Sequence, residues 1–369
     1  MVIQGDRLIQ AMEKWAPAYL AVEKDRIGLQ VGSPREEVQG VLVALDVTEE
    51  VVDEAIRIGA NWIVAHHAII FHPLKELRTD QAAGRLYGKL LKHGIQVYVA
   101  HTNLDTAVGG VNDVLSEGLG LDETQVMIPT YHQALKKIAV MVPTDYHELL
   151  LQAMCRAGAG WIGNYSHCTF NLTGTGTFRP EAGTQPFIGR EGELERVEEV
   201  RLETVVPAEI QQAVIQAMIQ AHPYEEPAFD IYPLEVPGEV QGMGRVGKLP
   251  QKMMLKDLAQ KIKSAYGIPC LRMVGEETRY VSTVAVLGGS GGRYYPKAIE
   301  MGADVYITGD VDHHTALDAL RDGLTLLDPG HHVEHLVLDR IVARLKETFG
   351  EKACPIQKTT VDTNPFQFV

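Results

Sequence analysis

Apolar and polar positions repeat in a fixed order between Val41 and Leu121. The run Val41-Leu42-Val43-Ala44-Leu45 ends at Asp46-Val47-Thr48 and leads into a helical period from Glu49 to Gly59. Trp62-Ile63-Val64-Ala65 follows, then a helical stretch over about Gln81–His93, then the run Ile95-Gln96-Val97-Tyr98-Val99-Ala100. Short apolar runs separated by segments of period 3.6 predict βα units whose strands are buried on both faces. The same order returns beyond about residue 245. There it predicts strands at Val281–Leu287, Val305–Ile307 and Leu324–Leu327, helices at Tyr295–Met301 and Thr315–Arg321, and a long amphipathic helix over Leu336–Phe349.

The middle of the chain, roughly Lys136–Pro237, has another rhythm. It predicts a strand (Ile138–Val142), a helix (Tyr146–Ala157), an extended stretch (Trp161–Phe178), an alternating strand (Val197–Val205), a helix (Ala208–Ala221) and a last strand (Ala228–Tyr232). That β-α-β-β-α-β order is the split βαβ arrangement. A self-contained unit between two matching halves reads as an insertion, which requires its ends to lie close together.

The 369 residues suffice for two or three domains with large cores, and 45% hydrophobic against 22% charged residues excludes a disordered chain. Lys and Arg number 34 against 48 Asp and Glu, for a formal charge of -14. This argues against nucleic acid as the main partner, because phosphate backbones call for clustered positive charge. The four cysteines have no paired spacing, so neither a disulfide framework nor a zinc knuckle is indicated. The N-terminal segment is too charged for a signal peptide, and no run approaches ~20 apolar residues. A reducing cytoplasm, without membrane attachment, is the expected setting.

Candidate chemistry gathers at strand ends. His66-His67 follows the strand Trp62–Ala65, and His101 and Asp105 follow Ile95–Ala100. Asp328, His331, His332, Glu334 and His335 follow Leu324–Leu327. Open α/β sheets bind ligands beyond the carboxyl ends of their strands, and neutral imidazole with carboxylate suits divalent transition metals. His331 and Glu334 share a face if a helix begins there. Five or six such ligands exceed the needs of one tetrahedral ion and predict two metals with a bridging carboxylate. Zinc, iron, manganese and nickel all suit mixed N/O ligation. The remaining histidines, such as His72, His93 and His222, read as ordinary capping or core residues.

Two further motifs remain open. Gly288-Gly289-Ser290-Gly291-Gly292 lies between a strand and a helix. It fits either an anion-binding loop, with Gly289, Gly291 and Gly292 presenting their amides, or a tight turn. In Thr308–His314, Asp312 suits a helix cap, while His313 and His314 are candidates for general acid-base work beside a metal. In the middle unit, His222–Pro227 reads as a proline-framed turn or a recognition loop.

Several segments together resemble a known family. They are Gly28–Gly32, Ala44–Thr48, Ala65-His66-His67, His101–Asp105 with Gly109–Asp113, Gly288–Gly292, Ile307–Asp310 and Asp328–His332. They resemble the NIF-three-like proteins, also known as GTP cyclohydrolase I type 2 homologues or dinuclear metal-centre hexameric proteins, over about 1–125 and 245–369. The middle unit is similar to the insertion of longer bacterial members, which resembles PII and CutA-like ferredoxin folds. The resemblance implies an α/β core in two parts (1–127 and 239–369) with an inserted ferredoxin-like α+β domain at 128–238. It implies two divalent metals held by His66, His67, Asp105, His331 and Glu334. Many members place the last Glu four residues after the His, where this chain has His335, so His335 rivals Glu334. The resemblance further implies a toroidal homohexamer and metal-dependent hydrolysis of GTP or another phosphate-bearing small molecule. A non-enzymatic metal-binding regulator with a PII-like sensing domain is the competing expectation.

Overall fold

The computed structural model describes residues 3–350 and 353–367. In chain order the first part contains α1 (Gly5–Trp15), β1 (Gly28–Val31), β2 (Val41–Ala44), α2 (Glu49–Ile58), β3 (Trp62–Ala65), α3 (Ala82–Lys92), β4 (Gln96–Val99), α4 (Thr102–Thr106), α5 (Val111–Gly118) and β5 (Asp122–His132). The middle holds β6 (Leu135–Pro143), α6 (His147–Arg156), β7 (Thr169–Phe178), β8 (Glu195–Pro207), α7 (Gln211–Ala221) and β9 (Phe229–Leu234). The last part has β10 (Val240–Met254), α8 (Leu255–Tyr266), β11 (Arg272–Val274), β12 (Tyr280–Ser290), α9 (Tyr295–Glu300), β13 (Val305–Gly309), α10 (His313–Arg321), β14 (Thr325–Asp328), α11 (Val337–Phe349) and β15 (Ile356–Lys358).

The chain divides into two units, residues 1–131 with 241–369, and residues 132–240. The divisions lie a few residues beyond the sequence-based boundaries at 127 and 238, because β5 and β10 continue as strands of the larger unit's second sheet.

In the larger unit one sheet has the order β1-β4-β3-β2-β15 and the other β11-β14-β13-β12-β10-β5. Strands β15, β2, β3 and β4 run parallel, as do β12, β13 and β14. Alternate residues of each central strand enter different cores. Val41, Val43, Trp62 and Val64 face an inner layer of α1, α5, α8 and α11, which Val284, Val286, Val305 and Ile307 close from the second sheet. Leu42, Ala44, Ile63 and Ala65 pack outward on α2 and α3, while Ala285, Tyr306 and Leu326 pack outward toward α9 and α10. Burial on both sides is why these strands read as continuous apolar runs. Helix starts are set locally: the Thr48 side chain accepts from Val51 N at the start of α2, and Asp312 accepts from His314 N and Thr315 N at the start of α10.

The smaller unit is a four-stranded antiparallel sheet of order β7-β8-β6-β9 with α6 and α7. Strand order and connectivity are those of the ferredoxin-like arrangement. Its own core contains Ile138, Val140, Leu202, Leu150 and Met218. The expected extended stretch from Trp161 begins as a strand only at Thr169. Before it, Gly163 takes φ +55° and an isolated bridge joins Ile162 to Tyr165. The ends of the unit meet, since Gln133 N donates to Glu239 O at 2.9 Å.

Candidate metal centre

Five carboxyl ends of parallel strands supply one cluster. His66 and His67 leave β3, and after β4 His101 stands at the N-cap of the short helix α4, which carries Asp105. Glu334 and His331 follow β14, while Asp46 and Asp310 end β2 and β13. Glu334, and not His335, enters the cluster. Residues 331–336 form a 3-10 helix, with three residues per turn, so His331 and Glu334 stand on the same side. Glu334 is 3% exposed, and its Oε2 lies 3.0 Å from His67 Nε2, 3.2 Å from His331 Nε2 and 3.6 Å from His66 Nε2. His335 turns away; its Nδ1 pairs with the His332 carbonyl at 2.7 Å and its ring stacks on His332.

Each imidazole of the cluster is fixed from behind. His66 Nδ1 donates to the Ala100 carbonyl at 2.8 Å, His67 Nδ1 to Asp46 at 2.7 Å, His331 Nδ1 to Asp310 at 2.7 Å and His101 Nδ1 to Asp25 at 2.9 Å. These bonds fix the rings with Nε2 directed into the cluster, the usual support for a metal-binding imidazole. Three overlapping groups of close ligand atoms result: His66, His67 and His101; His67, His331 and Glu334; and His66, Asp105 and Glu334.

The residues fit a cation on grounds of their own. His66 Nε2 and Asp105 Oδ1 are buried, 3.6 Å apart, and have no hydrogen-bond partner. The Nε2 atoms of His67 and His331 approach to 3.3 Å, both directed at Glu334 Oε2. Burial pushes the His66 pKa down to about 3. Burial works against charge on His67, but bonds to Asp46 and Glu334 overcome it and raise the pKa to about 10. The bond to Glu334 raises His331 to about 9 against its burial. Burial also opposes ionisation of Glu334, yet the bonds from His331 and His67 hold its carboxyl well below the usual range, whereas burial and the charge of Glu334 push Asp105 well above it. Without a cation, Asp105 and the rings of His67 and His331 therefore carry protons that an ion would displace, while Glu334 stays ionised and His66 neutral.

Thus the structure brings His66, His67, Asp105, His331 and Glu334 together and adds His101, which sequence reasoning placed at the right strand end without counting it as a ligand. Asp328 belongs elsewhere: it pairs with Arg272 and accepts from Val311 N and Gly330 N. His313 and His314 are exposed at the start of α10 and enter none of the ligand groups. Their position reflects the helix cap at Asp312 and not the cluster. In the glycine loop, the amides of Gly288 and Gly291 already donate to Asn112 Oδ1 and Thr308 Oγ1, both at 3.0 Å. Gly289 has φ +64°, and a Cβ there would stand 2.5 Å from Glu334 Oε1. A Cβ on Gly291 would stand 2.3 Å from Thr308 Oγ1, whereas one on Gly292 would meet Thr315 no closer than 3.4 Å. The loop thus backs Glu334, and an anion cradle there lacks two of its donors.

A cleft of about 1030 Å³ opens beside His67 and His331. Its walls include Arg272, Leu271, His332, Asp310 and the C-terminal residues Thr363–Phe366. Thr363 Oγ1 donates to Asp46 Oδ2 at 2.7 Å and lies 3.4 Å from His332 Nε2, so the chain end is tied to a carboxylate that orients His67.

Comparison with known proteins decides the family. Residues 3–365 match Duf34/NIF3 (NGG1p interacting factor 3). The chain belongs to the NIF3 family. Among its NIF3 relatives, a protein of Bacillus subtilis named GTP cyclohydrolase 1 type 2 homolog is 49% identical over 369 residues, covering 100% of this chain and 99% of the relative. A protein of the same name from Halalkalibacterium halodurans is 47% identical over the full length of both. The crystal structure of a Bacillus cereus protein related to NIF3 superposes with a TM-score of 0.95 at 48% identity, covering both chains completely. A Staphylococcus aureus structure gives 0.78 at 32% identity, covering 100% of this chain and 99% of that one. No helix among the described residues is long and apolar enough to cross a membrane.

Proposed function

We propose that this NIF3 protein holds two divalent cations in the cluster of His66, His67, His101, Asp105, His331 and Glu334, and hydrolyses a small phosphate-bearing substrate bound in the adjoining cleft. The observation that carries this reading is the pair of unpartnered buried atoms, His66 Nε2 and Asp105 Oδ1, beside a carboxylate that three imidazoles approach. Three overlapping ligand groups favour two ions over one. Divalent cations in such a site supply Lewis acidity, lowering the pKa of water and polarising a scissile bond.

The chain's own residues do the rest. Asp25, Asp46 and Asp310 hold three rings in orientation, and Glu334 is the carboxylate shared by two of the three ligand groups. Arg272 on the cleft wall faces an anionic substrate, although Asp328 partly neutralises it. His332, and not His313 or His314, is the histidine outside the cluster that lines the cleft, where its Nε2 can exchange a proton with a bound molecule.

Relatives named GTP cyclohydrolase 1 type 2 homologs make GTP the first substrate to test. We also propose a homohexamer in a reducing cytoplasm, in keeping with four free cysteines. Elemental analysis of protein purified without added metal, followed by GTP turnover with the metal found and detection of released formate, tests the reading. Two equivalents of metal with formate release support it. Less than one equivalent, even after incubation with zinc, iron, manganese and nickel, refutes it. Full loading without turnover of GTP or other phosphate compounds would select a metal-binding regulator, a reading that the separate ferredoxin-like unit favours.

A further inference from the structure

The ferredoxin-like unit has a cavity of its own, about 410 Å³, at one end of its sheet. Its floor is Glu199 of β8, which is 8% exposed. The Tyr224 hydroxyl donates to Glu199 Oε1 at 2.9 Å. Burial and this bond push the phenol far above its ordinary range, so it remains a donor. No hydrogen bond to Glu199 Oε2 exists among the described residues. That oxygen sits over Gly176 of β7, where a Cβ would stand only 2.0 Å away. The glycine thus makes the recess in which the carboxylate lies.

The walls are aromatic. Phe178 and Phe187 both face Tyr224, with ring centroids 5.6 and 6.4 Å away. Phe187 is 51% exposed, unusual for a ring with a core purpose. Tyr224 is placed by the turn that follows α7. His222 is buried, its Nε2 donates to the Met141 carbonyl at 2.9 Å, and its Nδ1 accepts from Tyr224 N at 3.0 Å. The proline-framed segment His222–Pro227 is therefore a turn that delivers a ring to a cavity. Glu225 and Glu226 stand at the rim with one opposing cation, Arg179.

We propose that this cavity binds a small organic cation, a substituted ammonium with an apolar body, its charge on Glu199 and its body among Phe178, Phe187 and Tyr224. A nearly buried carboxylate with one oxygen open to a cavity favours a cation there, because opposite charges attract strongly in a low-dielectric recess. Aromatic faces around the same point attract cations and shelter the apolar body. An anion would meet three carboxylates against one guanidinium and gain no donor from the floor. This site lies within residues 132–240 and uses no residue of the metal cluster.

Calorimetric titration of the full-length protein with phenethylammonium and with phenyltrimethylammonium tests the assignment, with phenylacetate and 2-phenylethanol as anionic and neutral counterparts. At least one cation is expected to bind, phenylacetate to give no heat, and phenylethanol to bind about tenfold or more weakly. Glu199→Gln should reduce cation affinity by about tenfold or more. Phe187→Ala serves as a second variant because its exposed ring can be removed without disturbing the core, and it should also weaken the cation with metal content unchanged. Failure of both cations to bind the parent protein overturns the proposal. So does phenylacetate binding as tightly as the cations, or Phe187→Ala and a folded Glu199→Gln both binding them as the parent does.

Discussion

Replacing Gly289 by alanine separates the two meanings of the glycine loop. At φ +64° any L-residue is strained, and the left-handed conformation costs about 1–2 kcal/mol. The added Cβ would also stand 2.5 Å from Glu334 Oε1, about 0.9 Å short of an ordinary contact at 3.4 Å. Glu334 cannot yield freely, since it is enclosed by His66, His67 and His331. A shift of that size exceeds the ~0.5 Å tolerance of a metal or catalytic constellation. Gly302 supplies the control: its φ is +76°, and a Cβ there meets nothing within 4 Å. Both variants should lose about 1–2 kcal/mol of stability in denaturant titrations. Gly289→Ala alone should also lose metal, with affinity falling about 10–100-fold in chelator competition, the range found when the support of a ligand is disturbed. If Gly289→Ala keeps the parent's metal stoichiometry and affinity, the loop does not support Glu334 and the argument fails.

Other expectations follow from the same cluster. Because His67 and His331 titrate near 10 and 9 in the metal-free protein, metal uptake at pH 7 should release protons, and affinity should rise from pH 7 to pH 9; calorimetry in buffers of different ionisation heat reads both. The metal-free protein should do the reverse. The raised pKa values give stability that is complete below the unfolded value near 6.5 and lost as pH climbs through 9 to 10, so its melting temperature should fall over that interval. Asp105→Ala and Glu334→Ala should each abolish full metal loading, whereas His335→Ala should leave it intact; equal metal content in all three would dismiss the ligand assignment. Excising residues 132–240 across the Gln133–Glu239 closure with a short linker should leave metal binding unchanged, and loss of metal with the larger unit still folded would contradict the separation.

The strand-end histidines were legible because the strands before them are buried on both faces, which leaves a continuous apolar run stopped abruptly by His66, His101 or Asp328. The same signal misled at His313 and His314, which follow β13 in the same manner but stand exposed at a helix start. Local sequence cannot tell a side chain turned into a cluster from one turned outward. Asp25 was invisible for another reason. It lies in an irregular connection 76 residues from His101, and nothing periodic announces the pairing. The choice between Glu334 and His335 depended on whether the first turn held three residues or closer to four, a difference in helix type that spacing alone does not reveal. In the ferredoxin-like unit, strand order was readable from alternation, while the recess at Gly176 depends on a cross-strand neighbour.

The division of ligands along the chain has a consequence in time. His66, His67 and His101 come from the first third of the protein and form one ligand group by themselves, whereas the other two groups need Glu334. His67 and Glu334 are separated by 267 positions, which at 5–20 residues per second takes on the order of tens of seconds to synthesise. On the ribosome the trio of imidazoles exists well before Glu334, so the ligand group of His66, His67 and His101 can form early but the two groups that need Glu334 cannot. The last stretch of translation, which also adds β15 beside β2 and brings Thr363 to Asp46, is then the moment at which a half-made site becomes a whole one.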